Sequence, residues 1–411
     1  MAKSANLVSI PTLVQSPFII ATIGGVTFGT FSSNYRTNAT YPNYMESMSV
    51  TKVNGTVNTY TLNFHYQVAT GQDPNLLDKI FSRATKDRRI ILQYGDWMAP
   101  NYIYKEEQCI ITNVTTRLNM SSSSLDYTLQ CTSDAIGLNS TQFNFPARNA
   151  KPSDVILQLL SNSKYGLKDV FTGMRNKNVV LSKNLVASND KKVQLVAQNN
   201  TTILNYLNYL VGCMVDSKTP AENKLSNSKY FLTINDDYNN DLGGTYFKVS
   251  EVSADAAVYN ATDTYELDIN YPGDNFVTEF SLNNDQSWAI LYEYAGDVKQ
   301  EEYTYNIRDD GTIETLSSPS LLTSSLTNAK SAYKTQWWSY MTEFPITATL
   351  TLKGLTRPSM LMTYVKLNVW FAGGQKHISS GTYIITKQTD SITSAGYTTT
   401  LTLLRVGGDT Q

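Results

Sequence analysis

The sequence predicts a mainly β protein in which two tube-like antiparallel β-barrel domains flank a small α+β insert. Three observations support this fold class. The 411 residues include 27 Tyr, and Thr, Ser and Asn are abundant, a composition that favours strands and turns. Runs of β-branched and aromatic residues recur towards both ends of the chain. Two long hairpin patterns, at residues 109–132 and 383–406, resemble each other.

The composition excludes several classes of protein. Hydrophobic residues make up 41% of the chain and charged residues 17%, so the chain has the apolar content of a folded protein. The net charge of -2 does not suggest a basic coat for nucleic acid. The N-terminal stretch MAKSANLVSIPTLVQ lacks the apolar core of a signal peptide, and no run approaches the roughly 18 apolar residues of a membrane span.

The cysteines argue against a disulfide framework or a zinc site. Their number is odd and no pair has CxxC spacing; the three are Cys109, Cys131 and Cys213. Cys109 and Cys131 are placed to pair across a hairpin, although a role as small buried apolar residues is favoured. Assembly in a reducing cytoplasm fits this usage better than secretion.

The first domain is predicted over residues 1–147 and is rich in strands. One short helix interrupts them: Asp73 is its cap, Pro74 occupies its first position, and one face is apolar, formed by Leu77, Ile80, Phe81 and Ala84. The predicted strands are Phe18–Phe31, Met48–Val53, Thr59–Val68 and Arg88–Gly95, followed by the hairpin.

An insert with helices is predicted over residues 148–271. Its first helix, Pro152–Leu160, has Ser153 as a cap and an apolar side made of Val155, Ile156, Leu159 and Leu160. A second helix ends at Gly212 and buries Ile203, Leu204, Leu207, Leu210 and Val211. Short strands are predicted at Lys229–Asp236 and Thr245–Ser250.

Strands return in the third segment, residues 272–411. They are predicted at Asn275–Leu282, Ser287–Gly296, Ile346–Gly354 and Met362–Phe371, before the closing hairpin. A helix over residues 319–343 starts at Ser318 and Pro319. Its apolar stripe packs across the second barrel and consists of Leu322, Leu326, Ala329, Tyr333, Trp337 and Tyr340.

The two hairpins match in both arms. The outgoing arms contain Ile110-Ile111-Thr112 and Ile384-Ile385-Thr386, and the returning arms contain Tyr127-Thr128-Leu129 and Thr399-Thr400-Leu401. Each hairpin also follows a strand, a helix that starts with proline, and a further strand. Convergence of Thr- and Ile-rich hairpins is the alternative explanation. The shared order of elements favours a duplication of one β unit.

The closing stretch Ser380–Asp409 resembles the C-terminal arm of baseplate hub proteins from contractile phage tails and of the hub part of the type VI secretion spike. The helices at Pro152–Leu160 and Ile203–Val215 are similar to the two-helix insert of these hubs. Arg357-Pro358 replaces the usual Pro-Gly turn of the second barrel. The resemblance implies a homotrimer with two tube-like barrels per chain.

A hub of this kind implies a structural role in a virion. Three chains would form a pseudo-sixfold ring that joins the hexameric tail tube to the trimeric central spike and leaves a channel for the genome. The implied partners are tube or tube-initiator proteins, the spike and other baseplate proteins, with DNA passing without specific binding. Assembly would take place in the cytoplasm of the bacterial host. We expect a polar or acidic channel wall, since a basic wall would retain DNA.

The sequence offers little catalytic chemistry. Its two histidines, His65 and His377, lie on predicted strands, where structural roles are favoured. Residues Gly24 to Gly29 lack the spacing of a dinucleotide-binding loop and fit a strand kink better. No HExxH, GxSxG or P-loop motif occurs. We therefore expect no catalytic, cofactor-binding or metal-binding residues, no cofactor and no enzymatic activity.

Weaker candidates are also read as structural. Asp236-Asp237 with Asn239-Asn240-Asp241 lacks the pattern of an EF-hand and predicts a solvated turn. The adjacent Glu301-Glu302 would face opposite sides of a strand, unlike a glycosidase pair. Surface charge explains the basic cluster Lys86, Arg88 and Arg89, and the Trp337-Trp338 pair fits the helix stripe and a subunit contact.

Two alternative functions remain open on the sequence alone. One is a tail-associated peptidoglycan hydrolase, and the other is a carbohydrate-binding protein of a tail fibre.

Overall fold

The structure is a computed structural model that describes residues 16–30, 41–83, 89–96, 105–140, 142–161, 179–181, 191–214, 228–236, 245–253, 265–269, 277–284, 305–307, 313–315, 346–354, 360–371, 373–377 and 379–408. The predicted strand Ser287–Gly296 and the predicted helix at 319–343, with Trp337, lie outside the described residues.

The described elements comprise strands β1 to β22 and four α-helices. The first seven strands are β1 Pro17–Ile23, β2 Val26–Gly29, β3 Met45–Val53, β4 Thr59–Gln67, β5 Arg89–Asp96, β6 Lys105–Asn119 and β7 Ser124–Thr132. The next seven are β8 Gln142–Phe145, β9 Arg148–Ala150, β10 Val179–Leu181, β11 Val193–Leu195, β12 Gln198–Thr202, β13 Ser228–Asn235 and β14 Tyr246–Ser253. The last eight are β15 Tyr265–Ile269, β16 Val277–Asn284, β17 Tyr305–Ile307, β18 Ile313–Thr315, β19 Ile346–Lys353, β20 Tyr364–Val369, β21 Gly381–Thr393 and β22 Gly396–Gly408. The helices are α1 Leu76–Arg83, α2 Gly137–Ser140, α3 Pro152–Ser161 and α4 Ile203–Gly212, with a 3-10 turn at Asp134–Ile136.

One 13-stranded sheet dominates the described part of the chain, in the order β16-β19-β22-β21-β3-β4-β7-β6-β5-β1-β2, with β20 pairing β21 and β15 pairing β20. The remaining described strands form small sheets of two or three strands. The prediction of a mainly β protein with few helices is confirmed.

The large sheet contains the same strand order twice. The first half reads β3-β4-β7-β6-β5-β1, and the second half reads β16-β19-β22-β21-β20-β15. All pairs within these two orders are antiparallel except that of β15 with β20, which is parallel. The hairpins β6–β7 and β21–β22 therefore occupy the same place in the two orders.

β-Bulges repeat with the strands. The register of β6–β7 shifts between Ile111 and Asn113, and that of β21–β22 shifts between Ile385 and Lys387. The extra residue in each case is a threonine. The Thr112 hydroxyl donates to the Gln130 carbonyl at 2.9 Å, and the Thr386 hydroxyl donates to the Thr402 carbonyl at 3.2 Å. A β-bulge changes which way the side chains of its strand point. Because the two bulges lie at equivalent residues, the two hairpins match in register as well as in strand order.

A second bulge pair supports the same alignment. The register of β3–β4 shifts between Met45 and Ser47, and that of β16–β19 shifts between Val277 and Glu279. Counting from these bulges aligns Met48 with Phe280 and Val50 with Leu282. The two halves are therefore equivalent residue by residue along these strands.

One of the two helices expected to match across the halves lies outside the described residues. Helix α1 follows β4, and the segment expected to match it, 319–343, precedes β19 in the chain, the counterpart of β4. The expected match between two helices that start with proline therefore stays a prediction. Local capping signals indicate where a helix begins, but they do not indicate which strand pairs beside it.

The expected cap and apolar face of α1 are present, but the helix begins at Leu76 rather than at Pro74, and Ala84 lies outside the described residues. The Asp73 carboxylate accepts a hydrogen bond from the backbone N–H of Asn75 at 2.9 Å, so it caps the N-terminus of the helix. Leu77, Ile80 and Phe81 are buried in the core of the first half.

The Gly24-Gly25 pair forms a tight turn rather than the expected strand kink. Ile23 pairs with Val26, so the two glycines alone connect β1 and β2. Both have positive φ, +56° and +82°, as the common two-residue hairpin turn requires.

The insert packs its two longer helices around its own apolar core. Thr202 caps α4 by accepting the N–H of Asn205 at 3.2 Å. The predicted apolar side of α4 is buried, and the ring of Tyr206 stacks on Phe145 at 3.8 Å between centroids. Helix α3 begins at Pro152, so Ser153 lies inside its first turn and is not the cap that we expected.

Strand β15 lies within the segment assigned to the insert but pairs outside it. Its residues, Tyr265–Ile269, fall within the segment assigned to the insert, yet they pair with β20 in the large sheet. Parallel pairing of this kind carries no local sequence signal, because the partner lies about a hundred residues away.

Each half of the large sheet has its own apolar core. The core of the first half is completed by two residues of the second half, Ile392 and Tyr397, which are 2% and 1% exposed. Tyr397 also lies on Gly354, whose backbone N–H donates to the Tyr397 carbonyl at 2.8 Å. The end of the β21–β22 hairpin therefore covers one side of the first half.

Candidate functional surface

The junction between the two halves is a direct strand pair. Residues Lys387 to Ile392 of β21 pair antiparallel with residues Val53 to Met48 of β3. The pair joins segments more than 330 residues apart in the chain, with the hydroxyls of Thr51 and Thr389 3.4 Å apart. One sheet therefore continues from the second half into the first without a gap.

The half-exposed face of this sheet is lined by hydroxyl groups. A row of threonines in register crosses β19, β22, β21 and β3; its members are Thr351, Thr400, Thr389 and Thr51. The hydroxyls of Thr351 and Thr400 lie 3.4 Å apart, the same spacing as across the junction. The row therefore presents uncharged groups that hydrogen-bond along the sheet.

An equivalent row crosses the first half through Ser47, Asn63, Thr128 and Thr115. The Asn63 amide donates to the Ser47 hydroxyl at 2.9 Å, and its oxygen accepts the Thr128 hydroxyl at 2.9 Å. Both halves thus place small uncharged polar groups at equivalent positions of the repeat on the same face, and the two rows cross β3 at Thr51 and Ser47.

Charges on this face are few and of both signs. Three basic side chains lie on this face, each in a different row across the strands: Lys353, Lys387 and Arg117. The acidic side chains on the same face include Asp126 and Glu279. The His65 imidazole contacts the Asp126 carboxylate at 2.6 Å, and both side chains are partly exposed. The described part of the face is therefore polar without a continuous basic stripe.

The opposite face carries a buried ionic network under the junction. The Lys52 ammonium forms an ion pair with Glu107, and the two side chains are 2% and 1% exposed. Glu107 also accepts the hydroxyls of Tyr60 at 2.8 Å and Tyr94 at 2.9 Å. Burial raises the pKa of both tyrosines well above the ordinary value, so both remain neutral donors.

Charge balance in this network favours the protonated lysine. Burial opposes a charged ammonium group, but the carboxylates of Glu107, Asp390 and Asp236 together raise the pKa of Lys52 above its ordinary value. The cation thus lies near three acidic groups and contacts one of them, Glu107.

Asp390 anchors the second half to this network. Its carboxylate accepts the hydroxyls of Tyr397 at 3.0 Å and Thr399 at 2.7 Å and the amide of Gln388 at 2.8 Å. The oxygen of Gln388 accepts the backbone N–H of Met360 at 2.8 Å. These side chains are buried, so they hold the strands in place and are not exposed to bind a ligand.

Asp236 joins the insert to the first half, and it is not in the solvated turn that the sequence predicts. It is 1% exposed and accepts the hydroxyls of Ser133 at 2.5 Å and Thr245 at 2.8 Å. It also accepts the Asn58 amide at 2.7 Å and the Tyr60 hydroxyl at 3.2 Å. Burial raises the pKa of Asp236 in spite of these donors.

The other residues considered from sequence do not converge on a site. His65 takes part in the cross-strand pair, and the His377 ring contacts the Ser379 hydroxyl at 2.7 Å in a local turn. Arg89 is exposed at the start of β5. The remaining candidates lie outside the described residues: Lys86, Arg88, Asp237, Asn239 to Asp241, Glu301, Glu302, Trp337 and Trp338.

None of the three cysteines, all of which the structure describes, forms a disulfide, and all three are buried. Burial, together with a hydrogen bond to Cys131, raises the pKa of the Cys109 thiol well above its ordinary value. The pairing across the hairpin that the sequence left open is not formed, and all three cysteines serve as small core residues.

Neither a metal cluster nor a membrane helix occurs within the described ranges. No group of three or more His, Cys, Asp or Glu side chains there is arranged to hold a metal ion. None of the helices there has the length and hydropathy needed to cross a bilayer.

Sequence reasoning missed the buried network. Its one signal was that Lys52 follows Met48 and Val50 at alternating positions, so that a charge occupies the apolar side of β3. The partner of that charge, Glu107, lies on another strand and is not indicated by the pattern.

Comparison with solved structures defines the class to which this fold corresponds. No protein-family profile and no curated protein sequence matches the chain. The matching structures include phage tail proteins, a type VI secretion system component and a PdpA-VgrG complex. The resemblance to hub proteins expected from the sequence is thus confirmed at the level of the fold.

The particular matches cover nearly the whole chain. A tail protein from Neisseria meningitidis aligns with 94% of this chain and 96% of its own, at 11% identity and a TM-score of 0.51. The 43 kDa tail protein of a Shewanella oneidensis prophage aligns over the same shares, at 10% identity and a TM-score of 0.49. An Escherichia coli type VI secretion component aligns with 89% of this chain and 75% of its own, at 11% identity and a TM-score of 0.47. The chain has the fold of the Neisseria tail protein.

Proposed function

We propose that the protein is a structural hub of a phage tail baseplate. In this proposal it assembles as a homotrimer whose duplicated barrels form a pseudo-sixfold ring. The ring joins the hexameric tail tube on one side to the trimeric central spike on the other. It leaves a channel through which the genome passes, and it takes its place in the virion after assembly in the cytoplasm of the bacterial host.

The junction of β21 with β3 is the observation that carries this proposal. One chain already sets two equivalent strand orders edge to edge in a single sheet. A contact of this kind uses two different edges, so repeating it between chains adds units head to tail and produces a ring where the rotation closes. Three chains then supply six similar units, which matches a sixfold partner on one side and a threefold partner on the other.

We keep the division of the chain expected from the sequence as part of this proposal. Residues 1–147 form the first barrel, residues 148–271 the insert, and residues 272–411 the second barrel. Strand β15 at the end of the insert then crosses over to extend the second barrel.

The hydroxyl rows support a role for the half-exposed face as the channel wall. In a ring, the rows through Thr389 and Thr115 become a belt of uncharged polar groups. DNA contacts that neutralise many phosphates give tight binding that weakens with salt, and scattered charges of both signs provide no such stripe. The wall then lets DNA pass without specific binding.

In this proposal the protein has no enzymatic role and no cofactor. Its polar clusters on the inner face of the sheet are buried and hold the strands in place, which supports a structural role. As a scaffold, the protein contacts tube-initiator, spike and other baseplate proteins. The similarity in fold to a tail protein supports the same placement.

Native mass spectrometry and negative-stain microscopy of the purified chain test the proposal. We expect a particle of three chains with a central opening, since the ring needs no other component to close. A monomeric particle contradicts it. Zymography on bacterial cell walls and glycan-array binding test the two alternatives, a hydrolase and a carbohydrate-binding fibre protein, and we expect neither activity.

A further inference from the structure

Exposed apolar side chains are concentrated on two strand edges. Among the described residues, the large apolar side chains that are exposed include Val114 at 36%, Leu118 at 56% and Met120 at 83%, all on or next to the second half of β6. Leu282 on β16 is 39% exposed. Apolar groups gathered at an edge mark an interaction site more often than isolated ones do.

Both edges also lack a strand partner within the described residues. Only Lys105 to Ile110 of β6 pair with β5, so residues 111–119 are hydrogen-bonded to β7 alone. Strand β16 lies at one end of the large sheet and pairs with β19 alone. Natural proteins seldom leave such edges open, because they recruit other strands.

The repeat identifies what covers these edges. The second half of β6 is the counterpart of residues Lys387 to Ile392 of β21, and β16 is the counterpart of β3. Those two counterparts are paired with each other at the junction. The chain therefore contains one completed copy of a contact and the two unpaired edges of a second copy.

Equivalent residues differ in exposure between the β21–β3 junction and the unpaired edges of β6 and β16. Ile392 is 2% exposed because it packs into the first core, whereas its counterpart Leu118 is 56% exposed. Val50 is 0% exposed, whereas its counterpart Leu282 is 39% exposed. The same positions are buried where the contact exists and open where it does not.

We propose that the second half of β6 pairs antiparallel with β16 of the partner subunit, in the register of the β21–β3 junction. Leu118 then lies opposite Phe280 of the partner subunit, Arg117 opposite Ser281 of the partner subunit, and Thr116 opposite Leu282 of the partner subunit. This inference rests on the proposed ring and names the surface that closes it.

Chemistry across this seam is complementary. Leu118 enters the open side of the partner's second core, as Ile392 enters the first core within the chain. On the other face Thr115 extends its polar row to Asn283 of the partner subunit, as Thr389 extends its row to Thr51. No like charges meet in this register, and the interface gains backbone hydrogen bonds along a strand, as in other cases of β-strand addition.

Paired cysteines test the register. Ser49→Cys with Ser391→Cys places thiols directly opposite within one chain, since these residues are paired at the junction. Arg117→Cys with Ser281→Cys occupies the equivalent positions of the seam. Directly opposed residues are about 4.5–5.5 Å apart at Cα, within the range that a disulfide spans. The three native cysteines are buried and do not compete.

The two pairs give different products after mild oxidation of the full chain. On a non-reducing denaturing gel, we expect Ser49→Cys/Ser391→Cys to remain monomeric with an internal disulfide. We expect Arg117→Cys/Ser281→Cys to form covalent dimers and trimers. The control Arg117→Cys/Leu282→Cys shifts the register by one residue, which turns one thiol to the opposite face, and it should lose the crosslink.

A charge on the seam provides a second measurement. Leu118→Lys should shift the native mass of the particle from three chains to one, because an ammonium group would be buried against Phe280 of the partner subunit. Leu157→Lys is the matched control: Leu157 is 37% exposed on α3 in the insert, away from both edges, and the trimer should persist.

The outcomes separate the seam from the hub proposal. A wild-type monomer contradicts the proposed function. A wild-type trimer in which Arg117→Cys/Ser281→Cys stays uncrosslinked, or in which Leu118→Lys still forms trimers, leaves the hub intact and overturns this seam. In-register crosslinks together with loss of the trimer in Leu118→Lys support both.

Discussion

Lys52 and Glu107 form an ion pair in the interior of the large sheet, and their side chains are only 2% and 1% exposed. Lys52 lies on β3, the strand to which the second half of the sheet is joined, and Glu107 lies on β6. The pair sits beneath the junction, where Asp390 of the second half adds a further acidic group. The stability of the two-part sheet therefore depends on a cation that the sequence pattern would place among apolar residues.

Lys52→Met should destabilise the protein strongly. Removing one partner of a buried pair leaves an uncompensated charge, which costs about 3–5 kcal/mol. Thermal unfolding followed by circular dichroism measures the loss. The control is Lys79→Met: Lys79 contacts Asp73 at 2.6 Å, but the side chains are 60% and 40% exposed, and we expect no measurable change. Equal shifts for the two variants would contradict a special role for the buried pair.

Gly354→Ala should also destabilise the second half. A Cβ at this position would lie 2.1 Å from the ring of Tyr397, which is buried and hydrogen-bonded to Asp390. Overpacking of this kind costs about 1–3 kcal/mol. The neighbouring Lys353→Ala serves as the control, because Lys353 lies on the half-exposed face. A melting temperature of Gly354→Ala equal to that of the wild type would show that the Tyr397 ring moves aside freely.

The buried Asp236 should give the protein a pH-dependent stability. Burial raises its folded-state pKa above the ordinary value of 3.8, so the folded state binds more protons than the unfolded state between these two pKa values. The contribution of Asp236 to the free energy of unfolding should therefore fall as pH rises through that window. Asp236→Asn removes this titration, and urea unfolding of both proteins from about pH 4 to about pH 8 measures the difference.

Asp73 provides a control of opposite sign. Its hydrogen bond with Lys79 lowers the pKa of Asp73, so its stabilising contribution is present above the ordinary pKa and is lost as pH falls. Because this window lies below the ordinary pKa of 3.8, the difference between the wild type and Asp73→Asn should stay nearly constant from about pH 4 to about pH 8, whereas the wild type should lose stability relative to Asp236→Asn over the same range. Two differences with the same slope would contradict the assignment for Asp236.

The three thiols should be inert in the folded protein. All are buried, and the raised pKa of Cys109 disfavours its reactive thiolate. A thiol-reactive chromogenic disulfide should label none of them under native conditions and all three after denaturation. Rapid labelling of the native protein would show that the core around the β6–β7 hairpin opens readily.

Much of the local structure followed from the sequence. Strand periodicity, the Asp73 cap of α1 and the two long hairpins depend on residues close together in the chain, where alternation, capping and turn chemistry act directly. The paired threonines Thr112 and Thr386 were part of the hairpin match, and the structure shows why: each is the extra residue of a bulge.

The pairing of β15 and the buried charged network did not follow from the sequence. The alternation of apolar and polar residues indicates that β15 is a strand and that Lys52 faces inward. It does not indicate that β15 pairs with β20 or that Glu107 forms the ion pair with Lys52. For the same reason the sequence predicts a solvated turn at Asp236, since three of its four donors come from distant segments.

The sequence by itself determined that this protein is built of β-hairpins, that two of them are alike, and that a helical insert separates them. These features are encoded locally, by the period of apolar residues and by caps and turns. Only the tertiary structure decided that β21 joins β3, which makes the two halves one sheet and leaves β6 and β16 as matching open edges. Strand pairing between residues more than 330 positions apart depends on register, shared cores and buried charge, and a periodicity that is the same in every strand does not specify its partner.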